Sequence, residues 1–387
     1  MERIHRLKEH LVKNGIDLVI LNQNSDLYYY TGSVQPLYLV VPATSEAFVL
    51  ARKAIHRVRE ESRVKLETFS NSKDLTEIFQ RHGIASAKRV GFTLDLTSYA
   101  TVTRFQRLLG THEIVDISWD IRTLRMVKSK SEIALQTQAG AIMSQVPQII
   151  KSSFRPGMTE LELTAALENY FRLNGHGAMV RCRREGTEMA GFGVCSAGVN
   201  SLSGTKFDGV CCGKGISPAN PTGASRDPIA KCVPVILDYT FVLEGYHIDQ
   251  TRMFSWGTPS DEVLKAYNAM VKIEHTIINS LKPGRLWEDI YTDALNLAAD
   301  LGYTEGFMGL NPEKVKFIGH GVGLELDEPP YLAPQMKYPL AQGMVLAIEP
   351  KVALPNIGVI GIEDTVVIDD HGTKCLTICP AEFLMVQ

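Results

Sequence analysis

The sequence predicts a mixed α/β (α+β) protein of two domains, and three features of the chain lead to this prediction. Helix and strand patterns alternate over the first 122 residues, helical patterns follow, and a strand-rich region with a long glycine-rich loop completes the chain. The chain has 387 residues, 45% of them hydrophobic and 21% charged, which is enough for two separate cores. We therefore expect one domain over residues 1–122 and a second over 123–387.

Composition and charge exclude several classes of function. The net charge is −3 and no basic run occurs, so nucleic acid is not an expected partner. No stretch is apolar enough to cross a membrane, and the N-terminal sequence lacks the apolar core of a signal peptide. Seven cysteines form an odd number without metal-binding CxxC spacing. We expect reduced thiols and a cytoplasmic protein.

The first domain is predicted as a small α/β layer. Residues 1–14 have the pattern of an amphipathic helix, and DLVIL that of a buried strand. PLYLVVPATSEAFVLA predicts a hairpin bent at Pro42 and Ala43, and RVGFTLD and EIVDIS predict strands around the helix SYATVTRFQRLLG.

The second domain is predicted to begin with helices. The segment IRTLRMVKSKSEIALQTQAGAIMSQV is helical, with a capping box from Ser129 to Glu132. In MTELELTAALENYFRLNG, Thr159 is the expected N-cap and Gly175 the expected end. Residues 198–230 are rich in glycine, proline and serine, and predict a long loop of a kind that is often functional or mobile.

Two aspartates lie in an otherwise apolar sequence that has the pattern of a β-hairpin. VPVILDYTFV and YHIDQTRMFSW are strand-like, and LEG between them supplies a turn. With the turn centred between Leu243 and Glu244, Asp238 lies directly opposite Asp249 on one face, with Cβ atoms ~5 Å apart.

The same construction appears in GMVLAIEPKVALPNIGVIGIEDTVVI. A turn centred on Asn356 places Glu349 opposite Glu363. Like charges directly opposite each other destabilise a sheet, and these surroundings are too apolar for a solvated face. The alternative, in which the acids point to solvent, is weakened because two hairpins show the same pattern.

Four opposed carboxylates require positive charge, which two divalent ions supply. Carboxylates with one imidazole suit Mn, Co, Zn or Fe. The imidazole candidate is His320 in FIGHGVGLELDEPP, where glycines on both sides allow close approach of backbone and ligand.

These segments resemble a known family. LDYTFVLEGYHIDQTRMF, GHGVGLELDEPP, AIEP and GIEDTVVI are similar to signature segments of the pita-bread metallopeptidases, which include aminopeptidase P, prolidase, methionine aminopeptidase and creatinase. LRMVKSKSEIALQTQAG and FRPGMTELEL also resemble the start of that catalytic domain. The preceding domain, with NSDLYYYTGS, resembles the N-terminal domain of the prolidase and creatinase branch, so the resemblance covers nearly the whole chain.

The resemblance implies a role for each candidate residue. Asp238 and Asp249 would bind metal, with Asp249 bridging two ions. His320 and Glu349 would each hold one ion, and Glu363 would bridge. A metal-bound hydroxide would attack the scissile carbonyl, and Glu349 would act as general base. The branch also implies a homodimer.

The sequence departs from the family at three positions. Gly198 and Asn200 match a loop that usually continues to a histidine, but none follows before Asp238. Asp327 stands where the family usually has a second histidine, and Gly361 where it usually has arginine. In the peptidases these histidines bind substrate and stabilise the tetrahedral intermediate. The metal ligands are therefore kept while the substrate-binding residues differ.

Two residues could compensate. His247 lies two positions before Asp249, hence on the same strand face, where it is either catalytic or a packing residue. Asp327 would either bind a cationic group of the substrate or remain a surface acid.

The first hypothesis is a dinuclear metal-dependent hydrolase that resembles Xaa-Pro aminopeptidase or dipeptidase and cleaves short peptides. The alternative is a pita-bread enzyme of another reaction class, a metal-dependent lyase or a creatinase-like C–N hydrolase, acting on a small cationic molecule. A third is a catalytically silent binding protein.

Overall fold

The computed structural model describes residues 2–110, 113–184, 186–187, 191–370 and 372–387. The chain divides into two compact units between Arg125 and Met126. The boundary expected from the sequence, after residue 122, falls inside a helix that runs from Ser118 to Met126.

The first unit is built on one mixed six-stranded sheet with the order β4-β3-β2-β1-β5-β6. Its strands are β1 Leu18–Leu21, β2 Tyr38–Pro42, β3 Phe48–Ala51, β4 Lys65–Thr68, β5 Arg89–Phe92 and β6 Glu113–Asp116. Its helices are α1 Glu2–Lys13, α2 Asn24–Thr31, α3 Ile55–Glu61, α4 Ser72–Arg81 and α5 Tyr99–Leu109, followed by α6 Ser118–Met126. The predicted first helix, the β2–β3 hairpin and the β5–α5–β6 succession are confirmed.

The second unit contains the helices α7 Lys130–Met143, α8 Val146–Ser153, α9 Glu160–Leu173, α10 Asp261–Ser280 and α11 Trp287–Asp300. Its strands are β7 Gly193–Ala197, β8 Pro234–Leu243, β9 Tyr246–Trp256, β10 Gly319–Gly321, β11 Glu328–Tyr331, β12 Val345–Ile348, β13 Lys351–Leu354, β14 Gly358–Gly361, β15 Asp364–Asp369, β16 Gly372–Cys375 and β17 Leu384–Val386. They form three sheets, of the orders β17-β9-β8-β7, β11-β10-β12-β15-β16 and β13-β14. The predicted α+β class is confirmed.

The segment predicted as one helical stretch, IRTLRMVKSKSEIALQTQAGAIMSQV, is divided between α6 and α7, whereas the caps expected at Ser129 and Thr159 are both present. Ser129 and Glu132 form a reciprocal capping box at α7, and Thr159 and Glu162 form another at α9. Each box satisfies amide groups that the first helical turn leaves without partners, and losing an N-cap costs about 1 kcal/mol. The predicted long loop contains a short 3-10 helix, Gly198–Leu202, and neither helix nor longer strand over residues 203–233, all of which are described.

The β8–β9 hairpin corrects the register expected for its two aspartates. Leu243 pairs with Tyr246, so the turn consists of Glu244 and Gly245, both with positive φ (49° and 84°). This is the two-residue turn whose twist matches antiparallel strands. The turn centre lies one residue later than predicted, so Asp238 faces Thr251, and Asp249 faces Thr240.

The two aspartates still share a face of the sheet. Residues opposite each other point to the same side, and Asp249 lies two positions from Thr251, the partner of Asp238. The direct opposition was therefore wrong, whereas the common face was correct. The carboxylates are diagonal neighbours.

The second hairpin has the predicted register. Leu354 pairs with Gly358 around Asn356, and beyond that hairpin Ile348 pairs with Asp364. Glu349 and Glu363 lie in register between these two ladders, where the chain passes from one sheet to the other. Neither glutamate belongs to one of these strands, so neither lies within a continuous ladder of backbone hydrogen bonds.

The longest described helix, α10, has 20 residues and begins with Asp261 and Glu262. Within the described ranges, no helix has both the length and the apolar composition needed to span a bilayer.

Candidate metal centre

The structure brings the five predicted ligand residues together. Asp238 lies on β8, Asp249 on β9 and His320 on β10, while Glu349 follows β12 and Glu363 precedes β15. Ligand atoms of Asp249, His320 and Glu363 all lie within 4.8 Å of one another. Glu349 joins this group through Oε1, which is 3.4 Å from His320 Nε2. Strands of two different sheets thus deliver side chains to one place.

Asp249 is held by its neighbours on one side of its carboxylate. Its Oδ1 accepts hydrogen bonds from the Thr240 hydroxyl at 3.2 Å and from the Gln250 amide at 3.1 Å. Burial raises the pKa of Asp249 well above its usual range, and Glu363 adds to the effect. A nearby cation strongly stabilises the ionised form of a buried carboxyl group whose pKa is raised.

His320 is oriented to offer Nε2. Its Nδ1 lies 3.2 Å from the Gly321 carbonyl, to which Nδ1–H donates, so the lone pair remains on Nε2. Burial lowers the pKa of His320, but the Glu349 and Asp327 carboxylates outweigh burial, and the pKa lies above its ordinary value.

Glu363 has one satisfied oxygen and one without a partner. Oε2 accepts from the Thr251 hydroxyl at 2.8 Å. Oε1 is buried and has no hydrogen-bond partner among the described residues. Burial raises the pKa of Glu363 to about 7, although Lys351 lowers it. Glu363 thus offers an unpaired carboxylate oxygen in a group whose ligand atoms lie within 4.8 Å of one another, and this donor set fits a divalent ion.

A lysine that none of the sequence motifs indicated lies among the carboxylates. Lys351 is buried, with 1% of its surface exposed. Its Nζ lies 2.6 Å from Glu349 Oε2, 3.1 Å from Glu363 Oε2 and 3.1 Å from Asp238 Oδ2. The alternation along EPKVAL contained the signal, because Lys351 is two residues beyond Glu349.

His247 is buried and has both ring nitrogens engaged by backbone. Nδ1 lies 2.9 Å from the Gly323 carbonyl, and Nε2 accepts the Arg181 amide at 2.9 Å. Burial lowers the pKa of His247 to about 3, so the ring is neutral. This geometry favours a positioning role over the catalytic role considered from the sequence.

Asp327 lies in the segment between β10 and β11, partly exposed. Its carbonyl accepts a hydrogen bond from the Tyr331 hydroxyl at 3.3 Å. Its charge acts on His320, whose pKa it raises, so it lies within electrostatic reach of the metal-binding group.

Comparison with known proteins agrees with this architecture. Residues 134–370 match metallopeptidase family M24, and residues 3–127 match the Creatinase/Prolidase N-terminal domain. A Xaa-Pro dipeptidase of Pyrococcus horikoshii is 27% identical over 390 residues, which cover 99% of each chain.

Solved structures have the same fold. The prolidase from Pyrococcus horikoshii OT3 superposes with a TM-score of 0.82 at 25% identity, covering 99% of this chain and 100% of the other. A Xaa-Pro dipeptidase from Bacillus anthracis gives a TM-score of 0.84 at 23% identity, covering 100% and 99%.

The family predicted from the signature segments is therefore confirmed, and with it a peptidase that uses divalent metal. The family match spans more than half of the chain and contains all five candidate ligands. The chain belongs to metallopeptidase family M24.

Proposed function

We propose that this chain is a metal-dependent peptidase that cleaves Xaa-Pro bonds in short peptides. The observation that carries the proposal is the convergence of Asp249, His320 and Glu363 within 4.8 Å. Relatives named Xaa-Pro dipeptidase match over nearly their whole length and support the substrate class.

The proposed chemistry divides between the ion and the chain. A divalent ion supplies a Lewis acid that lowers the pKa of a water molecule and polarises the scissile carbonyl. Glu349 is the proposed general base, because its Oε1 faces His320 while its Oε2 is held by Lys351. Asp249 and Glu363 hold the ion, and Thr240 and Thr251 hold these two carboxylates in place.

Asp327 is the proposed anchor for the free amino terminus of the peptide. It contributes negative charge near His320, where a histidine at that position would contribute a hydrogen-bond donor. An aspartate suits an ammonium group better than an oxyanion. Asp327→Asn should then raise KM for dipeptides more than it lowers kcat.

We also propose that the metal is manganese, that the protein is cytoplasmic and that it forms a homodimer. All seven cysteines are free thiols, which supports a reducing compartment. The donor set of carboxylates and one imidazole accepts Mn, Co, Zn or Fe. The sequence predicts two ions.

The test combines metal content with hydrolysis. Stripped protein is loaded with Mn, Co, Zn or Fe, and each form is assayed on an Xaa-Pro dipeptide and on the matching Xaa-Ala dipeptide. We expect bound metal and proline-specific cleavage, both lost in Asp249→Asn and kept in Asp300→Asn, which changes an exposed acid of α11. Bound metal without cleavage of any peptide would overturn the peptidase and favour a reaction on a small cationic molecule or a silent binding protein.

A further inference from the structure

The carboxylates of the metal centre divide their oxygen atoms between two places. The Oε2 atoms of Glu349 and Glu363 and the Oδ2 atom of Asp238 surround Lys351 Nζ at 2.6 to 3.1 Å. Two other oxygens do not contact the ammonium: Glu349 Oε1 lies 3.4 Å from His320 Nε2, and Glu363 Oε1 is buried without a hydrogen-bond partner among the described residues. One set of oxygens therefore pairs with the ammonium, and the second set remains available to another cation.

The ammonium is saturated in its place. An ammonium has three N–H groups, and Lys351 directs them at three carboxylates. Asp238 Oδ2 also accepts the Cys211 thiol at 3.1 Å, so this oxygen already has two partners. An ion bound by Asp238 Oδ2 and Glu363 Oε2 would have to displace an ammonium that already pairs with both oxygens.

The lysine has no room to withdraw. Its side chain is 1% exposed, and its stem packs over Gly361, the residue opposite it in the β13–β14 ladder. A Cβ at position 361 would overlap Lys351 Cγ and would lie 3.0 Å from Lys351 Cβ. Moving the ammonium away from its carboxylates would leave a buried charge without a partner, which is strongly destabilising.

We propose that Lys351 takes the place of one of the two cations, and that this chain binds a single divalent ion, held by Asp249, His320, Glu349 and Glu363. Asp238 then serves the ammonium instead of a metal. The inference rests on the proposed function only in requiring that the centre binds metal. It concerns how many ions bind, and the substrate does not enter it.

The experiment counts ions without using activity. Stripped full-length protein is titrated with Mn²⁺ alone, bound metal is measured by mass spectrometry after dialysis, and the bound ion is examined by electron paramagnetic resonance. We expect one Mn²⁺ per chain and the hyperfine pattern of an isolated ion. Lys351→Ala should raise the number to two and produce the spectrum of a magnetically coupled pair.

The control variant is Lys374→Ala, which removes an exposed lysine of β16 and should leave the number at one. Two ions in the unmodified protein would overturn the inference while leaving the metallopeptidase intact. No bound ion would overturn both the inference and the proposed function. If Lys351→Ala folds and still binds one ion, the ammonium does not occupy a cation site, and the inference is also wrong. If that variant does not fold, the count and spectrum of the unmodified protein decide.

Discussion

Lys351 and Gly361 face each other across the β13–β14 ladder, and the side chain of the lysine fills the space that a Cβ at position 361 would need. Glycine is required here for space rather than for backbone conformation, since Gly361 is not among the residues with positive φ. This packing holds the buried Lys351 ammonium inside the carboxylate cluster.

Gly361→Ala should therefore displace the Lys351 side chain and destabilise the fold by about 1–3 kcal/mol, as overpacking does. The measurement is the free energy of unfolding in denaturant, with chelator present. Lys351→Gly should remove the overlap with the side chain and leave only the 3.0 Å approach to the Cα of residue 351. The double variant Lys351→Gly/Gly361→Ala should therefore show a coupling energy of about 0.5 kcal/mol or more. Strict additivity would contradict the contact.

Thr240→Val should weaken metal binding. The Thr240 hydroxyl donates to Asp249 Oδ1 at 3.2 Å, and losing a group that orients a ligand typically costs about 10–100-fold in metal affinity. Equilibrium dialysis with Mn²⁺ measures the change. Thr276→Val is the control, because Thr276 is an exposed residue of α10 whose hydroxyl donates to the Lys272 carbonyl. Equal affinities in both variants would count against the assigned role of Thr240.

Metal affinity should fall as the pH drops below about 7. Burial raises the pKa of Glu363 to about 7 in the metal-free protein, and a protonated carboxyl must lose its proton to bind a cation. The affinity should decrease by up to about tenfold per pH unit for each proton displaced. Calorimetric titrations with Mn²⁺ between about pH 6 and about pH 8 measure this dependence.

The same raised pKa affects the stability of the metal-free protein with the opposite sense. Folded Glu363 keeps a proton that the unfolded chain releases above its ordinary pKa of 4.5, so the Glu363 contribution to stability declines between pH 4.5 and about 7. Glu363→Gln should remove this part of the pH dependence. An unchanged dependence in the variant would contradict the assignment.

His247→Gln should reduce the loss of stability in acid. Burial lowers the pKa of His247 from 6.5 to about 3, so the unfolded chain takes up a proton that the folded ring refuses. Stability is lost as the pH falls below 6.5, by about 2 kcal/mol from this group at about pH 5. Denaturant unfolding of the unmodified protein and of the variant at pH 6.5 and at about pH 5 measures this loss of stability. His5→Gln, at an exposed histidine, should behave like the unmodified protein.

Local patterns predicted much of the fold because caps and turns are decided by nearby residues. The capping boxes at Ser129 and Thr159 and the register around Asn356 depend on contacts within a few positions. The register predicted for β8 and β9 was wrong because the position of the turn depended on both Glu244 and Gly245 adopting positive φ. A shift of the turn by one residue moved the pairing by two, which kept the face of each aspartate and changed its partner.

The sequence by itself determined the α+β class from its helix and strand patterns, and the metallopeptidase family from its signature segments. Strand periodicity also determined that the two acids of each hairpin share a face. The tertiary structure alone decided which charges meet between sheets. Asp249 comes from one sheet and His320 from another, and their approach depends on how the sheets pack. The role of Lys351 was likewise decided there, since an ammonium becomes part of the centre only where packing over Gly361 leaves it no path to water.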